Sequence, residues 1–160
     1  ALTLQEFNNR FILRPALPGE ETAIHGLINE LAVFEKEPLA VINTPHQIKI
    51  DLFQTKVCFA FVVEDKNLKE VIAFSLYFFS YSTWKGKCVY LEDLYVKESY
   101  RSEGIGQILF DAVVAVAREQ KVARMDWQVL DWNMPALNFY KKNKAVLDPS
   151  WINGRLFFDL

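Results

Sequence analysis

"YLEDLYVKESYRSEGIGQILFDAVVAVARE", residues 90–119, joins a strand-like apolar run to a loop holding Gly104 and Gly106, and then to apolar residues at helical spacing. Ile105, Ile108, Leu109, Ala112, Val113, Val116 and Ala117 recur every three or four positions, so the spacing predicts an amphipathic helix over 104–120. "ARMDWQVLD" (123–131) reads as another strand. Strand, helix and strand from 87 to 130 form a βαβ unit, whose two strands run parallel. Glycine at a helix start costs roughly 1 kcal/mol against alanine. A chain with only six glycines nevertheless places two there. Either the loop is a plain turn, or a ligand approaches the backbone.

Upstream, "RFILRPAL" (10–17) reads as a first strand stopped by Pro18-Gly19. "GEETAIHGLINELAVFEKE" (19–37) follows as a helix with Ile24, Leu27, Ile28, Leu31 and Phe34 on one face. Thr44-Pro45 starts a short second helix, Thr as cap and Pro in the first turn. "VCFAFVVED", "EVIAFSLYFFSYS" and "GKCVYLEDLYV" are β-rich runs with short connections, as in an antiparallel meander. Downstream, "MPALNFYKKN" reads as a short helix after the potential cap Asn133, and "GRLFFDL" (154–160) as a closing strand. No repeat or Gly/Ser/Pro-rich linker divides the 160 residues, so one α/β (α+β) domain spanning 1–160 with a mixed sheet is expected.

Composition narrows the function classes. A net charge of −2 with no Lys/Arg cluster gives no support for nucleic-acid binding. Cys58 and Cys88 lie isolated in apolar runs and read as buried reduced thiols. With His25 and His46 as the only histidines, and no cysteine near either, a metal site or a histidine-based triad is poorly supplied. No apolar run approaches the roughly 18 residues of a membrane span, and "ALTLQEFNNRF" lacks the order of a signal peptide. A cytoplasmic enzyme or binding module is the expectation.

A strand, exposed backbone N–H groups and a helix N-terminus together make an anion site. Two phosphate loops of this kind fail here. The dinucleotide fingerprint wants glycine or alanine where Leu109 stands. The P-loop wants Lys-Ser/Thr after its last glycine, where Gln107-Ile108 stand. What remains is Arg-x-x-Gly-x-Gly, Arg101 to Gly106.

Taken with "DWNMPALNFYKKNKA" (131–145), that segment resembles the GNAT superfamily of acetyl-CoA-dependent N-acetyltransferases. The resemblance runs from "FILRPA" to "GRLFFDL", and "YFFSYSTWKGKCVYLEDLYV" (77–96) points to the diamine (spermidine/spermine and thialysine) N-acetyltransferases. It implies a mainly antiparallel mixed sheet, helices on both faces, and a parallel, splayed pair formed by the fourth and fifth strands. It also implies acetyl-CoA as cosubstrate, a small amine as acceptor and a homodimer.

The resemblance further implies roles for individual residues. Arg101, Ser102, Glu103, Gly104, Ile105, Gly106 and Gln107 match the loop that holds the coenzyme A diphosphate. Leu94, Tyr95 and Val96 match the splayed strand beside the pantetheine arm, with the Leu94 N–H as oxyanion donor. Glu92 matches the residue that takes the amine proton, directly or through water, and Asp93 a support for the acceptor site. Tyr140 matches the general acid, while Asn133, Pro135, Lys142 and Asn143 match the last part of the cofactor site. Phe34, Glu35 and Trp84 match acceptor contacts. Ser82, Ile152 and Gly154 stand where polyamine-acetylating relatives carry acidic or aromatic residues, so a short amine is expected over spermine. Each assignment has an ordinary counterpart. Glu92 can be ion-paired, Tyr140 packed, Asn133 a helix cap and Glu35 a solvated helix end. A protein acetyltransferase and a non-catalytic acyl-CoA-binding protein are the competing functions.

Overall fold

Phe7 and Phe11 flank two asparagines, and that pair makes the first turn. Asn8 and Asn9 take φ of 54° and 55°, and the Arg10 N–H closes the turn on the Phe7 carbonyl at 3.2 Å. Asparagine tolerates this left-handed geometry, which matches the twist of a tight hairpin. The turn joins β1 (Gln5–Phe7) to β2 (Phe11–Pro15). Three residues are too few for the sequence pattern to mark β1 as a strand. In the computed structural model, which describes residues 4–159, these begin a six-stranded sheet in simple sequence order. The other strands are β3 (Phe59–Asp65), β4 (Glu70–Ser82), β5 (Gly86–Val96) and β6 (Met125–Asp126). Every neighbouring pair is antiparallel except β5 and β6, which run parallel.

Helix α1 (Glu21–Phe34) and short α2 (Pro45–Lys49) cover one face of the sheet. Ile24, Leu27 and Ile48 pack there with Val62, Phe74 and Tyr95, all buried. The Thr44 hydroxyl accepts from the Gln47 N–H at 3.2 Å, so α2 starts at the expected cap. A π-helical turn, Ile50–Gln54, continues it. Helix α3 (Ile105–Glu119) packs against β3, β4 and β5, with Ile105, Leu109, Ala112, Val113 and Ala117 buried. Phe110, which the helical stripe omitted, is buried too and meets Trp127 edge-on at 5.5 Å.

Two details of β5 shape the site. Its pairing with β4 slips where Leu76 faces Asp93 and Tyr77 faces Leu91, leaving Glu92 as the extra residue of a bulge. Its other edge is paired only at Val89 and Tyr90, opposite Met125 and Asp126. From Leu91 to Val96 no described strand covers that edge, so the parallel pair is splayed.

The strand expected over 123–131 is therefore two residues long. Parallel pairing ends as the chains diverge, and Trp127 onward finds no ladder. The strand expected over "GRLFFDL" is absent at 154–159, and Leu160 lies outside the described residues. Leu156, Phe157 and Phe158 are exposed and have no strand partner. A strand needs a neighbour's hydrogen bonds, which local β-propensity does not supply. The chain divides into two compact units, Ala1–Gln128 and Val129–Leu160. The second holds α4 (Met134–Lys142).

Candidate acetyltransferase site

The loop before α3 is shaped by two left-handed residues, Ser102 (φ 68°) and Gly104 (φ 79°). Gly104 is the N-cap of α3, where it offers no side chain to close the first turn, and no acidic residue stands in that turn. The positive end of the helix dipole thus lacks a carboxylate of its own. The two glycines differ. Gly104 is explained by its backbone, since a side chain there is strained. Gly106 has an ordinary backbone, and a Cβ built on it would meet only Val96 Cγ2, at 4.0 Å. Packing gives no reason for a glycine at 106. A ligand passing over the helix start does, and this feature fits a diphosphate. Arg101 turns back onto the sheet. Its Nε donates to the Val96 carbonyl at 3.1 Å, and its guanidinium lies 5.2 Å from the Phe34 ring and 5.5 Å from the Tyr95 ring.

Between α1 and β5 lies a cleft of about 300 Å³. Ile28, Leu31 and Ala32 of α1 and Val41 beyond it give apolar walls, and Glu35 and Asp93 bring carboxylates. Asp93 reaches it because the bulge at Glu92 sets its pairing with Leu76, which packs on the α1 face. Burial pushes the Asp93 carboxyl up to about 7, with the charges of Glu92 and Glu35 adding to the effect. Burial also raises Glu35, again with help from Glu92. Apolar walls ending in crowded carboxylates suit an alkyl chain tipped with an ammonium. A carboxylate titrating near neutrality can accept its proton.

The acetyltransferase (GNAT) family model matches residues 24–144, which include both the cleft and the glycine loop. The chain belongs to the GNAT family of acetyltransferases. It is 37% identical over 137 residues to a thialysine N-epsilon-acetyltransferase of Bos taurus, covering 81% of each chain. It is 33% identical over 125 residues to the Caenorhabditis elegans protein of that name, covering 77% of this chain and 75% of the relative. In fold it is similar to a possible acetyltransferase from Clostridium difficile 630, with a TM-score of 0.77 at 20% identity. That likeness covers 93% of this chain and 99% of the other.

The acetyltransferase gathers some of the residues singled out above and leaves others apart. Phe34, Tyr95, Val96 and Arg101 form one contact group. Glu35, Glu92 and Asp93 form a second, coupled electrostatically. The Tyr95 side chain faces α1, where its hydroxyl donates to Glu30 Oε1 at 3.1 Å. The Phe34 ring, expected at the acceptor, lies against Arg101 of the loop before α3. Trp84 stands 84% exposed at the β4–β5 hairpin tip, roughly 20 Å along β5 from Glu92. The Ser82 hydroxyl is used in that turn, accepting from the Trp84 and Lys85 N–H groups at 3.2 and 3.1 Å.

In the second unit, Asn133 Oδ1 accepts from the Ala136 N–H at 3.2 Å, so Asn133 does cap α4, with Pro135 in the first turn. Asn143 closes the helix, its Nδ2 donating to the Phe139 carbonyl at 2.9 Å. Tyr140 is buried, with its ring edge-on to Phe139 at 5.3 Å, and Lys142 is exposed. Asp93, matched only to a support of the acceptor site, lines the cleft. Its neighbour Glu92 matched a known role, and no local signal revealed which of the two entered the cleft.

Proposed function

We propose that this acetyltransferase moves an acetyl group from acetyl-CoA to a primary amine of a small diamine, polyamine or lysine-like amino acid, by direct attack in a ternary complex. The observation that carries this reading is the cleft in which Asp93, raised to about 7, sits beside Glu35 above apolar walls. At neutral pH an alkylammonium, with a pKa of about 10.4, must lose a proton before it can attack. In this reading Asp93 takes that proton, and Glu92 and Glu35 keep its basicity high. Acetyl-CoA supplies the activated acyl group, and the start of α3 at Gly104 and Gly106 holds its diphosphate. The Leu94 N–H, on the uncovered edge of β5, polarises the thioester oxygen. The amine nitrogen bonds to the carbonyl carbon, the carbon–sulfur bond breaks, Tyr140 gives its phenolic proton to the departing sulfur, and the second proton leaving the nitrogen restores the phenol. The role of Tyr140 rests on its match to the family's "NFY" segment.

The names of the similar bovine and nematode proteins favour thialysine as acceptor. A cytoplasmic homodimer belongs to the same reading, and sedimentation of the purified chain tests the dimer. The deciding experiment is thiol release from acetyl-CoA with thialysine, lysine, putrescine, spermidine, spermine and a lysine-bearing peptide. The expected result is a higher kcat/KM for a short amine than for spermine, by several-fold, and the lowest for the peptide. A preference for the peptide would overturn the small-amine assignment.

A further inference from the structure

Asp65, the last residue of β3, is fully shielded from solvent and lies outside the chemistry above. A carboxylate so placed is costly unless its oxygens are satisfied, and here they are. Arg10 donates to Oδ2 through Nε at 3.1 Å and Nη2 at 2.8 Å. The Tyr100 hydroxyl donates to the same oxygen at 2.8 Å, and the Asn67 N–H donates to Oδ1 at 3.0 Å. The Arg10 guanidinium also lies 5.2 Å from the Tyr100 ring, whose edge meets Phe11 at 5.9 Å. Tyr100 ends a 3-10 turn, Glu98–Tyr100, and immediately precedes Arg101. A second tether lies three residues on, where Asn8 Nδ2 donates to the Glu103 carbonyl at 3.2 Å. The loop is thus pinned to the β1–β2–β3 edge at residues 100 and 103. Ser102, between the pins, keeps a left-handed backbone that costs a non-glycine residue stability.

We propose that Asp65, through Tyr100 and with Arg10, positions the 101–104 loop so that its backbone N–H groups meet the diphosphate of the acyl donor. The proposal rests on the assignment of the diphosphate to the start of α3. Asp65 touches no substrate in this reading and acts only through Tyr100. Packing alone at residues 65 and 100 needs no charge. A buried ionic network fixes one geometry at the expense of solvation, and a loop that must present several N–H groups to one anion needs a single geometry.

The test compares acetyl-CoA with S-acetylpantetheine, a thioester that lacks the diphosphate, using the ratio of their kcat/KM values. Tyr100→Phe removes only the hydroxyl tether. It should lower that ratio about tenfold, the scale of a hydrogen bond to a charged group. The effect should appear in the KM for acetyl-CoA, with kcat at saturation kept. Asn8→Ala, which cuts the second tether without disturbing the buried carboxylate, should lower the ratio about threefold. An unchanged ratio in both variants would overturn the positioning role, as would equal losses with both donors. Gly106→Val tests the underlying assignment separately. If it leaves the ratio untouched, or if the unmodified enzyme shows no preference between the donors, the diphosphate is not bound at the start of α3.

Discussion

Asp65 and Asp93 are both aspartates on central strands of one sheet, and their surroundings drive them in opposite directions. Asp65 is sealed from solvent, yet the Arg10 hydrogen bond holds its carboxyl below the usual carboxylate range, helped by the Tyr100 hydroxyl and the Asn67 N–H. Asp93 is less completely covered, yet burial, with Glu92 and Glu35 beside it, raises it to about 7. The depth of a carboxylate does not decide its basicity; what it faces does. A buried carboxylate with donors on both oxygens is locked in one charge state and can hold a loop. One that faces other carboxylates across an apolar cleft is poised between two charge states, as proton transfer requires.

The largest test of that contrast is to neutralise each in turn. Asp93→Asn should lower kcat/KM at pH 7.5 by about 10² or more, the usual range for losing a general base. Asp65→Asn should leave turnover of S-acetylpantetheine close to that of the unmodified protein. Steady-state rates of the purified variants decide between them, and an active Asp93→Asn enzyme would remove Asp93 as the base.

A smaller effect concerns pH. The kcat/KM of the unmodified enzyme should rise with pH up to an inflection near 7 and then level, because Asp93 must be ionised to accept a proton. Glu35→Gln removes a like charge from its surroundings, so the inflection should move to lower pH by less than about one unit. A shift to higher pH would mean that Glu35 does not act on Asp93 by its charge.

The pair should also leave opposite marks on stability. Asp93 binds its proton more tightly when folded than when unfolded. The stability it contributes is present below its ordinary value of 3.8 and is lost as pH rises through about 7. For Asp65 the sign reverses. Its contribution is present above the ordinary value and is lost as pH falls through the depressed one. Melting temperatures between pH 5 and 8 should therefore fall in the unmodified protein and flatten in Asp93→Asn, which should melt several degrees higher at pH 8, on the order of 5 °C. Asp65→Asn should keep the downward slope but melt lower throughout.

The smallest effect separates packing from ligand at the glycine loop. Gly106→Ala meets only Val96 Cγ2, at an ordinary 4.0 Å, so it should stabilise the fold slightly, by up to about 1 kcal/mol. It should also weaken acetyl-CoA binding several-fold in calorimetry. Unchanged affinity would show that the methyl group does not meet the ligand.

Much of this was legible in local chemistry. The α3 stripe, the Thr44 and Asn133 caps and the three-strand meander each depend on spacing or on one side chain meeting its own neighbouring backbone. Such signals survive in a linear chain because the interacting groups lie within four residues of one another. The family was legible for a similar reason, since "YRSEGIG" packs the end of a 3-10 turn, the glycine loop and a helix start into seven residues.

What lay beyond the sequence depends on partners distant along the chain. "GRLFFDL" has the propensity of a strand, but among the described residues no neighbouring strand supplies the hydrogen bonds. Asp65 ends the β-rich run "VCFAFVVED", and nothing local to it shows that Arg10 and Tyr100, 55 and 35 residues away, bond to its carboxylate. Glu92 and Asp93 are adjacent in sequence, and only the slip in register against β4 decides which one enters the cleft. Propensity and capping act through nearby atoms, and so they can be read along the chain. Burial and the field of neighbouring charges set the basicity of Asp93 and the fixity of Asp65, and these exist only once the sheet has brought its strands together.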